Sequence, residues 1–386
     1  MQDSGSSSQK KRARPLVLDV HVPAESRSYP VLIGRGMLGR VGAELKQRLG
    51  TAGQVALITD HNVARLHGAA VRASLEAQGL NVVSIVLPAG EDAKTMPTLL
   101  SVLEQMIHGG LGRRDAVVAL GGGVIGDLSG MAAALFMRGI PVVQVPTSLL
   151  AQVDASVGGK VAVDLPGAKN MVGAFHFPLF VAIDPEVLST LPDREMGQGL
   201  AEMLKHALLF SSDHLEQLLA KADAIYARDV DTITPLVATS VGLKSACVGR
   251  DPWEQGEAGK GRVLLNLGHT VGHAIESASA YSVPHGEAVA LGLRAAARIS
   301  EQKGVAEPGL ERLVVDALAR LRLPTDLDAW LTGDRGAAVE RALVADKKRS
   351  GGAISYVTLV RVGEPSVLSL PLRDLFGLLR PRTPAA

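Results

Sequence analysis

The chain has 386 residues, 47% hydrophobic but only 3% aromatic, with 42 glycines and a single cysteine, Cys247. That length allows two domains with full cores, and the wealth of Ala, Leu, Val and Gly suits α/β and helical packing better than a β-sandwich. The net charge is +1, and Lys10, Lys11, Arg12 and Arg14 against Asp3 put +3 into residues 1–14, so the remaining chain, at −2, offers no electrostatic footprint for nucleic acid.

Residues 1–14 are polar, lack the apolar core of a signal peptide and read as a disordered tail. From Pro15 to about Asp184 strand and helix patterns alternate. Leu16–Val22 and Tyr29–Ile33 read as strands, Met37–Leu49 as a helix, Gln54–Thr59 as a strand and Val63–Gln78 as a helix. Asn81–Leu87 is a strand pattern, Thr95–His108 helical, Ala116–Leu120 a strand, Asp127–Met137 helical and Pro141–Val145 a strand. This alternation predicts an α/β domain over residues 15–184, with a mostly parallel sheet wrapped by helices. Ligands of such sheets sit beyond the carboxyl ends of the strands, which here means Asp60, Gly90-Glu91, Gly121–Asp127 and Pro146–Ser148.

From Pro185 onward strands nearly stop. Arg194–Phe210, Asp213–Ala222, Val230–Val248, Thr270–Ser279, Glu287–Gln302 and Leu310–Leu321 carry helical periodicity, and only Ile354–Val360 reads as a strand. Residues 185–386 are therefore expected to form a mostly α-helical second domain, frayed over the last few residues. The lone Cys247 permits no disulfide within the chain and fits a buried small group in a reducing cytoplasm. No apolar run approaches the roughly 18 residues of a membrane span, so no membrane partner is expected.

Four constellations carry chemistry. The first is G121-G-G-V-I-G126-D127, between a strand and a helix. It meets the glycine spacing that lets a phosphate approach backbone N–H groups at a helix N-terminus. No carboxylate ends the next strand, so the nucleotide-binding domain is a non-standard Rossmann-like one. The second is P146-T-S-L-L-A-Q-V-D-A-S-V-G-G-K160, read as an irregular, glycine-bearing segment after a buried strand, whose Lys160, with Lys169-Asn170 further on, suits an anionic group. The third is Glu202 and Lys205, three apart on one helical face: either a surface ion pair or, among Leu200, Ala201, Met203 and Leu204, a buried pair that needs partners.

The fourth is L267-G-H-T-V-G-H-A-I-E276, followed by H285-G-E. His269 and His273 fall on one helical face, either as a metal pair or with one binding metal and the other substrate. Glu202 with His269 and His285 would make a two-histidine, one-carboxylate site with open positions, the layout of a catalytic zinc.

Together these motifs resemble the 3-dehydroquinate synthases of the sugar phosphate cyclase family. The residues that carry the resemblance are GGGVIGDLSG, RGIPVVQVPTSLLAQVDASVGGK, AKNMVGAF, GLAEMLK, LLNLGHTVGHAIE, HGEAVALG and ADKK, in family order from about Val31 to Lys348. The resemblance implies a carbon-oxygen lyase that uses NAD and Zn²⁺ or Co²⁺. It would convert 3-deoxy-D-arabino-heptulosonate 7-phosphate to 3-dehydroquinate and phosphate by oxidation at C5, phosphate elimination, reduction and intramolecular aldol closure, within the shikimate pathway to chorismate and the aromatic amino acids.

It also assigns residues. Metal ligation falls on Glu202, His269 and His285. NAD contacts fall on Asp60, Asn62, Glu91, Lys94, Gly122, Gly123, Val124, Asp127, Thr147, Ser148, Lys160, Lys169 and Thr190. Substrate contacts fall on Asp154, Lys160, Asn170, Lys205, Lys244, Arg262, Asn266, His273 and Lys347. Arg138 would reach the active site of a neighbouring subunit, implying a homodimer. The chain departs from the family pattern in a longer segment between Lys244 and Arg262, where Glu254 or Glu257 takes the aligned acidic position, and in Val161 and His176-Phe177. The rival readings are a cyclase for sedoheptulose 7-phosphate, glucose 6-phosphate or an amino analogue, a metal-dependent polyol or glycerol phosphate dehydrogenase, and a non-catalytic NAD-binding protein.

Overall fold

The structure is a computed structural model that describes residues 28–50, 53–166, 168–256, 260–350 and 353–380, without the side chains of 168, 345–350, 372 and 373. The strand expected over Leu16–Val22, the tail over 1–14 and Glu257 lie outside the described residues.

A six-stranded sheet is built from β1 (Val31–Ile33), β2 (Gln54–Asp60), β3 (Asn81–Leu87), β4 (Ala116–Gly121), β5 (Val142–Pro146) and β8 (Phe180–Ile183), in the order β1-β8-β5-β4-β2-β3. Every pairing in it is parallel. The apolar runs of β4 (AVVALG) and β5 (VVQVP) are buried throughout, as strands covered on both faces must be. Helices α1 (Val41–Leu49) and α3 (Ala69–Glu76) cover one face, through Val41, Leu45, Val71 and Leu75. Helices α4 (Met96–His108) and α5 (Gly123–Leu135) cover the other, through Leu99, Val102, Met106, Ile125 and Leu128.

The helix expected over Val63–Gln78 is not one α-helix. Asp60 caps a short turn, α2 (His61–Val63), and the chain passes through π geometry at Ala64–Gly68 before α3. Helix α5 begins at Gly123, earlier than its apolar periodicity suggested, because the glycine run itself forms the first turn. It ends at Leu135, and Met137 and Arg138 then adopt left-handed backbone at φ 52° and 69°.

Two elements the sequence did not reveal lie beside the sheet. Strands β6 (Lys160–Leu165) and β7 (Ala168–Phe175) form an antiparallel hairpin that packs on α5. A Cβ on Gly130 of α5 would lie 2.3 Å from Val161 Cγ1, so only glycine lets hairpin and helix meet this closely. The segment leading into the hairpin is not irregular either, since Ala151–Ala155 is a π-helical turn.

The second half is mostly helical: α6 (Asp193–Phe210), α7 (Ser212–Ala220), α8 (Ala222–Tyr226), α9 (Val230–Arg250), α10 (His269–Ala278), α11 (His285–Gln302), α12 (Leu310–Arg320), α13 (Gly333–Ser350) and α14 (Leu372–Leu379). The expected strand appears as β9 (Ala353–Arg361), and it has an antiparallel partner, β10 (Glu364–Pro371), that the proline and serine content concealed. One apolar core joins Leu149, Val153 and Val157 and the β8 residues Val181 and Ile183 to α6, α10 and α11. The π turn is thus clamped between sheet and helices. Cys247 is buried, its thiol 3.2 Å from the Gly261 carbonyl. No helix of the described residues is long and apolar enough to cross a membrane.

Candidate active site

Helix α6 presents Glu202, Lys205 and His206 on one face, three and four residues apart. The ion pair expected either at the surface or in the interior is interior: Glu202 is 0% and Lys205 1% exposed. Lys205 Nζ pairs with Glu202 Oε2 and lies 3.9 Å from Asp154 Oδ1 on the π turn. Lys244 of α9 reaches the same Oδ1 at 2.8 Å and the Asp154 carbonyl at 2.6 Å. Burial opposes ionisation of Asp154, but Lys244, Lys205 and His206 outweigh it and hold the carboxyl well below its usual range. Two ammonium groups and two carboxylates therefore share one buried space.

The other side of Glu202 faces the histidines. His269 Nε2 lies 3.6 Å and His285 Nε2 3.3 Å from Glu202 Oε1. Each ring is held from behind: His269 Nδ1 is 3.1 Å from the Leu267 carbonyl, and His285 Nδ1 is 3.5 Å from Glu276 Oε2. An acceptor behind Nδ1 fixes the proton there and leaves Nε2 as the free donor of a lone pair, the arrangement seen around bound metals. Burial and the charge of Lys205 push His269 well below its usual value, so it is neutral and ready to ligate. Burial works the same way on His285, but hydrogen bonds to Glu202 and Glu276 outweigh it and raise that ring to about 10.

The ligand atoms of Glu202, His269 and His285 lie within 4.8 Å of one another, so the donor set fits a divalent ion with positions left open. Two further sets are as compact: His273, Glu276 and His285, and Asp154, Glu202 and His206. The first would need a histidine whose side chain is 61% exposed, and the second an Asp154 oxygen that Lys244 already holds at 2.8 Å. The site's geometry rests on close helix contact: a Cβ on Gly292 of α11 would lie 1.8 Å from the carbonyl of Gly268, the residue before His269.

The residues expected to contact a nucleotide gather at the carboxyl ends of the strands. Asp60 ends β2 and accepts the N–H groups of Asn62 and Val63 at 2.8 and 3.1 Å. Gly122 caps α5, which starts with Gly123 and Val124, has no side-chain cap and no acidic residue in its first turn, and so offers open N–H groups to a phosphate. Thr147 and Ser148 follow β5, and the Thr147 N–H binds the Gly121 carbonyl. Strand β4 lies between β2 and β5, although β3 comes between β2 and β4 in the chain. The reversal places the crevice at Asp60 and Gly122, where ligands of open sheets bind. Lys94, 4% exposed, is already engaged, 2.7 Å from Asp127 Oδ2 and 2.5 Å from Asn170 Oδ1. Lys169 bridges the two halves, 3.8 Å from Glu91, 4.0 Å from Glu276 and 4.4 Å from the centre of the Tyr281 ring. Thr190, after β8, pairs with His67 at 3.2 Å.

Arg262, 3% exposed, donates through Nη1 to the carbonyls of Gly158 (2.8 Å) and Pro252 (3.0 Å), while its buried Nε has no partner. Lys160 pairs with Glu254, which stands on the longer segment after α9. Trp253 fastens that segment with edge-on contacts to Phe175 and Phe177 at 5.4 and 5.5 Å. Asn266 is exposed at the end of a 3₁₀ turn, Arg138 is exposed on the bend after α5, and Lys347 lies on α13 with its side chain outside the described residues. Two residues of the cluster were missed. Glu276 stands seven residues after His269, two turns along the same helical face, a signal the spacing did contain. His206 directly follows Lys205 and shares the Glu202 face.

A parallel sheet with a glycine-rich turn, joined to a helical half that carries a buried carboxylate and two oriented imidazoles, defines a nucleotide- and metal-using enzyme class. Comparison narrows it. Sequence models of the 3-dehydroquinate synthase N-terminal and C-terminal regions match residues 84–198 and 199–349. A 3-dehydroquinate synthase of Symbiobacterium thermophilum is 44% identical over 337 residues, 87% of this chain and 92% of that protein. The chain belongs to the 3-dehydroquinate synthase family. Among solved structures, the 2-epi-5-epi-valiolone synthase ValA of Streptomyces hygroscopicus subsp. jinggangensis, with NAD⁺ and Zn²⁺ bound, superposes with a TM-score of 0.82 at 25% identity, covering 93% of this chain and 98% of that one. A 2-deoxy-scyllo-inosose synthase complexed with carbaglucose-6-phosphate, NAD⁺ and Co²⁺ gives 0.81 at 26% identity, covering 92% and 97%.

Proposed function

We propose that the protein is a 3-dehydroquinate synthase, converting 3-deoxy-D-arabino-heptulosonate 7-phosphate to 3-dehydroquinate and phosphate. The observation that carries this reading is the site itself: the two-histidine, one-carboxylate cluster lies beside a buried lysine–aspartate network and a buried arginine with an unpartnered N–H. Family membership at 44% identity over nearly the whole of a relative with that name supports it.

Glu202, His269 and His285 would hold Zn²⁺ or Co²⁺, and Asp60, Asn62, Glu91, Lys94, Gly122, Gly123, Val124, Asp127, Thr147, Ser148, Lys160, Lys169 and Thr190 would line the NAD site. When bound, NAD⁺ supplies a reversible oxidant for the C5 hydroxyl, and the metal supplies positive charge beside that oxygen. The chain's own residues do the rest. Lys160, Lys205, Lys244 and Arg262 bind the anionic groups of the substrate, with Arg262 suited to the carboxylate because its fork matches that geometry. Asp154 and Asn170 orient the hydroxyls, and His273, exposed and one turn beyond His269, faces the phosphate. Asn266 and Lys347 complete the substrate set. Burial of the network excludes water from charges that would otherwise be screened.

Arg262 also separates this reading from a cyclase for neutral heptulose phosphates. Phosphate release is expected from the heptulosonate phosphate in strong preference to sedoheptulose 7-phosphate. Equal rates on both would contradict the assignment. A dehydrogenase reading has only fold likeness behind it, as for the butanol dehydrogenase of Thermotoga maritima at 14% identity.

A homodimer belongs to the same proposal. Leu135 and Met137, beside Arg138, are 48% and 47% exposed, and Leu100 and Met171 are each 57% exposed. Arg138 makes no ion pair among the described residues. A second copy would cover this apolar surface and receive Arg138 at its active site. A monomeric mass by sedimentation at assay concentrations would contradict it. The lone buried Cys247 suits a cytoplasmic setting.

A further inference from the structure

His206 has no role in the family pattern described above, yet it sits inside the Asp154 network. It is 0% exposed, with Nδ1 2.8 Å from Ser240 Oγ on α9 and Nε2 3.4 Å from Asp154 Oδ1. Ser240 is also 0% exposed, and it lies one turn before Lys244 on the same helical face. Helix α9 therefore grips the network twice, once through Lys244 to Asp154 and once through Ser240 to His206.

The contacts on Asp154 are one-sided. Lys244 at 2.8 Å, His206 at 3.4 Å and Lys205 at 3.9 Å all address Oδ1. The side chain is 24% exposed. Oδ1 is thus buttressed by all three cationic or N–H-bearing neighbours. The two lysines alone would not fix this orientation. An ammonium is a compact charge on a flexible stem and tolerates rotation of the carboxylate it binds. An imidazole is rigid, and its N–H has one direction.

The tautomer follows from the neighbours. Lys205 and Lys244 already balance the Asp154 and Glu202 carboxylates, so a third cation in the same buried space would be costly, and His206 is neutral. A neutral imidazole has one N–H. If Nδ1 carried it, the Nε2 lone pair would face the lone pairs of Oδ1. With the Ser240 hydroxyl donating to Nδ1, the proton sits on Nε2, on the side of the ring nearer Asp154. Nε2 makes no hydrogen bond in this structure and stands 3.4 Å from Asp154 Oδ1; contacts of this kind tighten when the substrate complex forms.

We propose that His206 is a positioning residue for the reaction: braced by Ser240, it fixes the rotamer in which Asp154 is presented to the substrate. This rests on the reading of Asp154 as a substrate contact. Misplacement of such a group by about 1 Å costs roughly 10²-fold in rate.

The test is steady-state phosphate release by wild type, His206→Leu, His206→Gln and Ser240→Ala, with bound metal and the KM for NAD⁺ measured for each. Leucine removes the donor at similar volume, whereas glutamine returns an amide N–H near the position of Nε2. His206→Leu is expected to lower kcat by about 10–10²-fold with metal content and the KM for NAD⁺ unchanged. His206→Gln should recover most of that loss, and Ser240→Ala, which frees the ring to change tautomer, should lose several-fold. Should His206→Leu fail to fold, Ser240→Ala and His206→Gln carry the comparison. Near wild-type kcat in His206→Leu, or equal impairment of the Leu and Gln variants, would overturn the proposal. An inactive wild type would instead sink the reaction assigned above, so the two failures are distinguishable.

Discussion

His269→Ala is expected to release the metal, and His273→Ala to keep it. The two rings stand 5.3 Å apart on one helix, yet their surroundings differ. His269 Nε2 faces the fully buried Glu202 carboxylate, with Nδ1 held by the Leu267 carbonyl. His273 has a side chain 61% exposed, with Nε2 4.0 Å from Glu276. Loss of a direct ligand should exceed the roughly 10–100-fold drop in metal affinity that outer partners of a ligand produce. His273→Ala should instead lower turnover by about 10²-fold or more, the scale of a lost proton-transferring or phosphate-facing group. Metal analysis after gel filtration, paired with phosphate release, separates the two. Equal loss of metal from both variants would mean that the set built on His273, Glu276 and His285 shares the ion.

Lys205→Met should destabilise the protein far more without metal than with it. Lys205 Nζ lies between Glu202 and Asp154, and its side chain is 2% exposed. Burial alone would discharge it, but the two carboxylates outweigh burial and raise its proton affinity. Methionine fills much of the same space and leaves Glu202 without its ammonium partner. Removing one partner of a buried pair costs about 3–5 kcal/mol. A divalent ion bound to Glu202 restores positive charge on one side of that gap, so the metal-loaded variant should lose less. Denaturation midpoints of wild type and variant, each with and without Zn²⁺, give the comparison. A shift that is small, or equal in both states, would contradict the buried network. Lys244 holds Asp154 independently, so the effect belongs mainly to Glu202.

The parallel sheet was legible because β2, β4 and β5 are short apolar runs, each followed by a glycine or polar turn. The β6–β7 hairpin was not. Lys160, Asp164, Lys169 and Asn170 break its apolar pattern, and they do so because the hairpin carries charged groups to the cleft. The π turn at Ala151–Ala155 was concealed for a related reason: its flanking glycines mimic a loop, while Leu149, Val153 and Val157 on its other side enter the core. Spacing pointed to a histidine site at His269 and His285 and made Glu202 a candidate third ligand, and the family resemblance assigned the metal to these three. Spacing did not divide the labour between His269 and His273. The family resemblance made that division, and the fold adds a physical ground for it: His269 faces buried Glu202 with Leu267 behind it, whereas the His273 side chain is 61% exposed. His206 escaped notice because a histidine among apolar helix residues most often reads as core. Only its partners, Ser240 from α9 and Asp154 from the π turn, distinguish it.

The most direct measurement is the ratio of phosphate released to NAD⁺ supplied, with the heptulosonate phosphate in large excess and Zn²⁺ or Co²⁺ present. A cyclase returns its cofactor to the oxidised form in each turnover. The account predicts many equivalents of phosphate per NAD⁺, no accumulation of NADH, and loss of the reaction when the metal is stripped. Stoichiometric NADH, or no phosphate above the metal-stripped control, would contradict it.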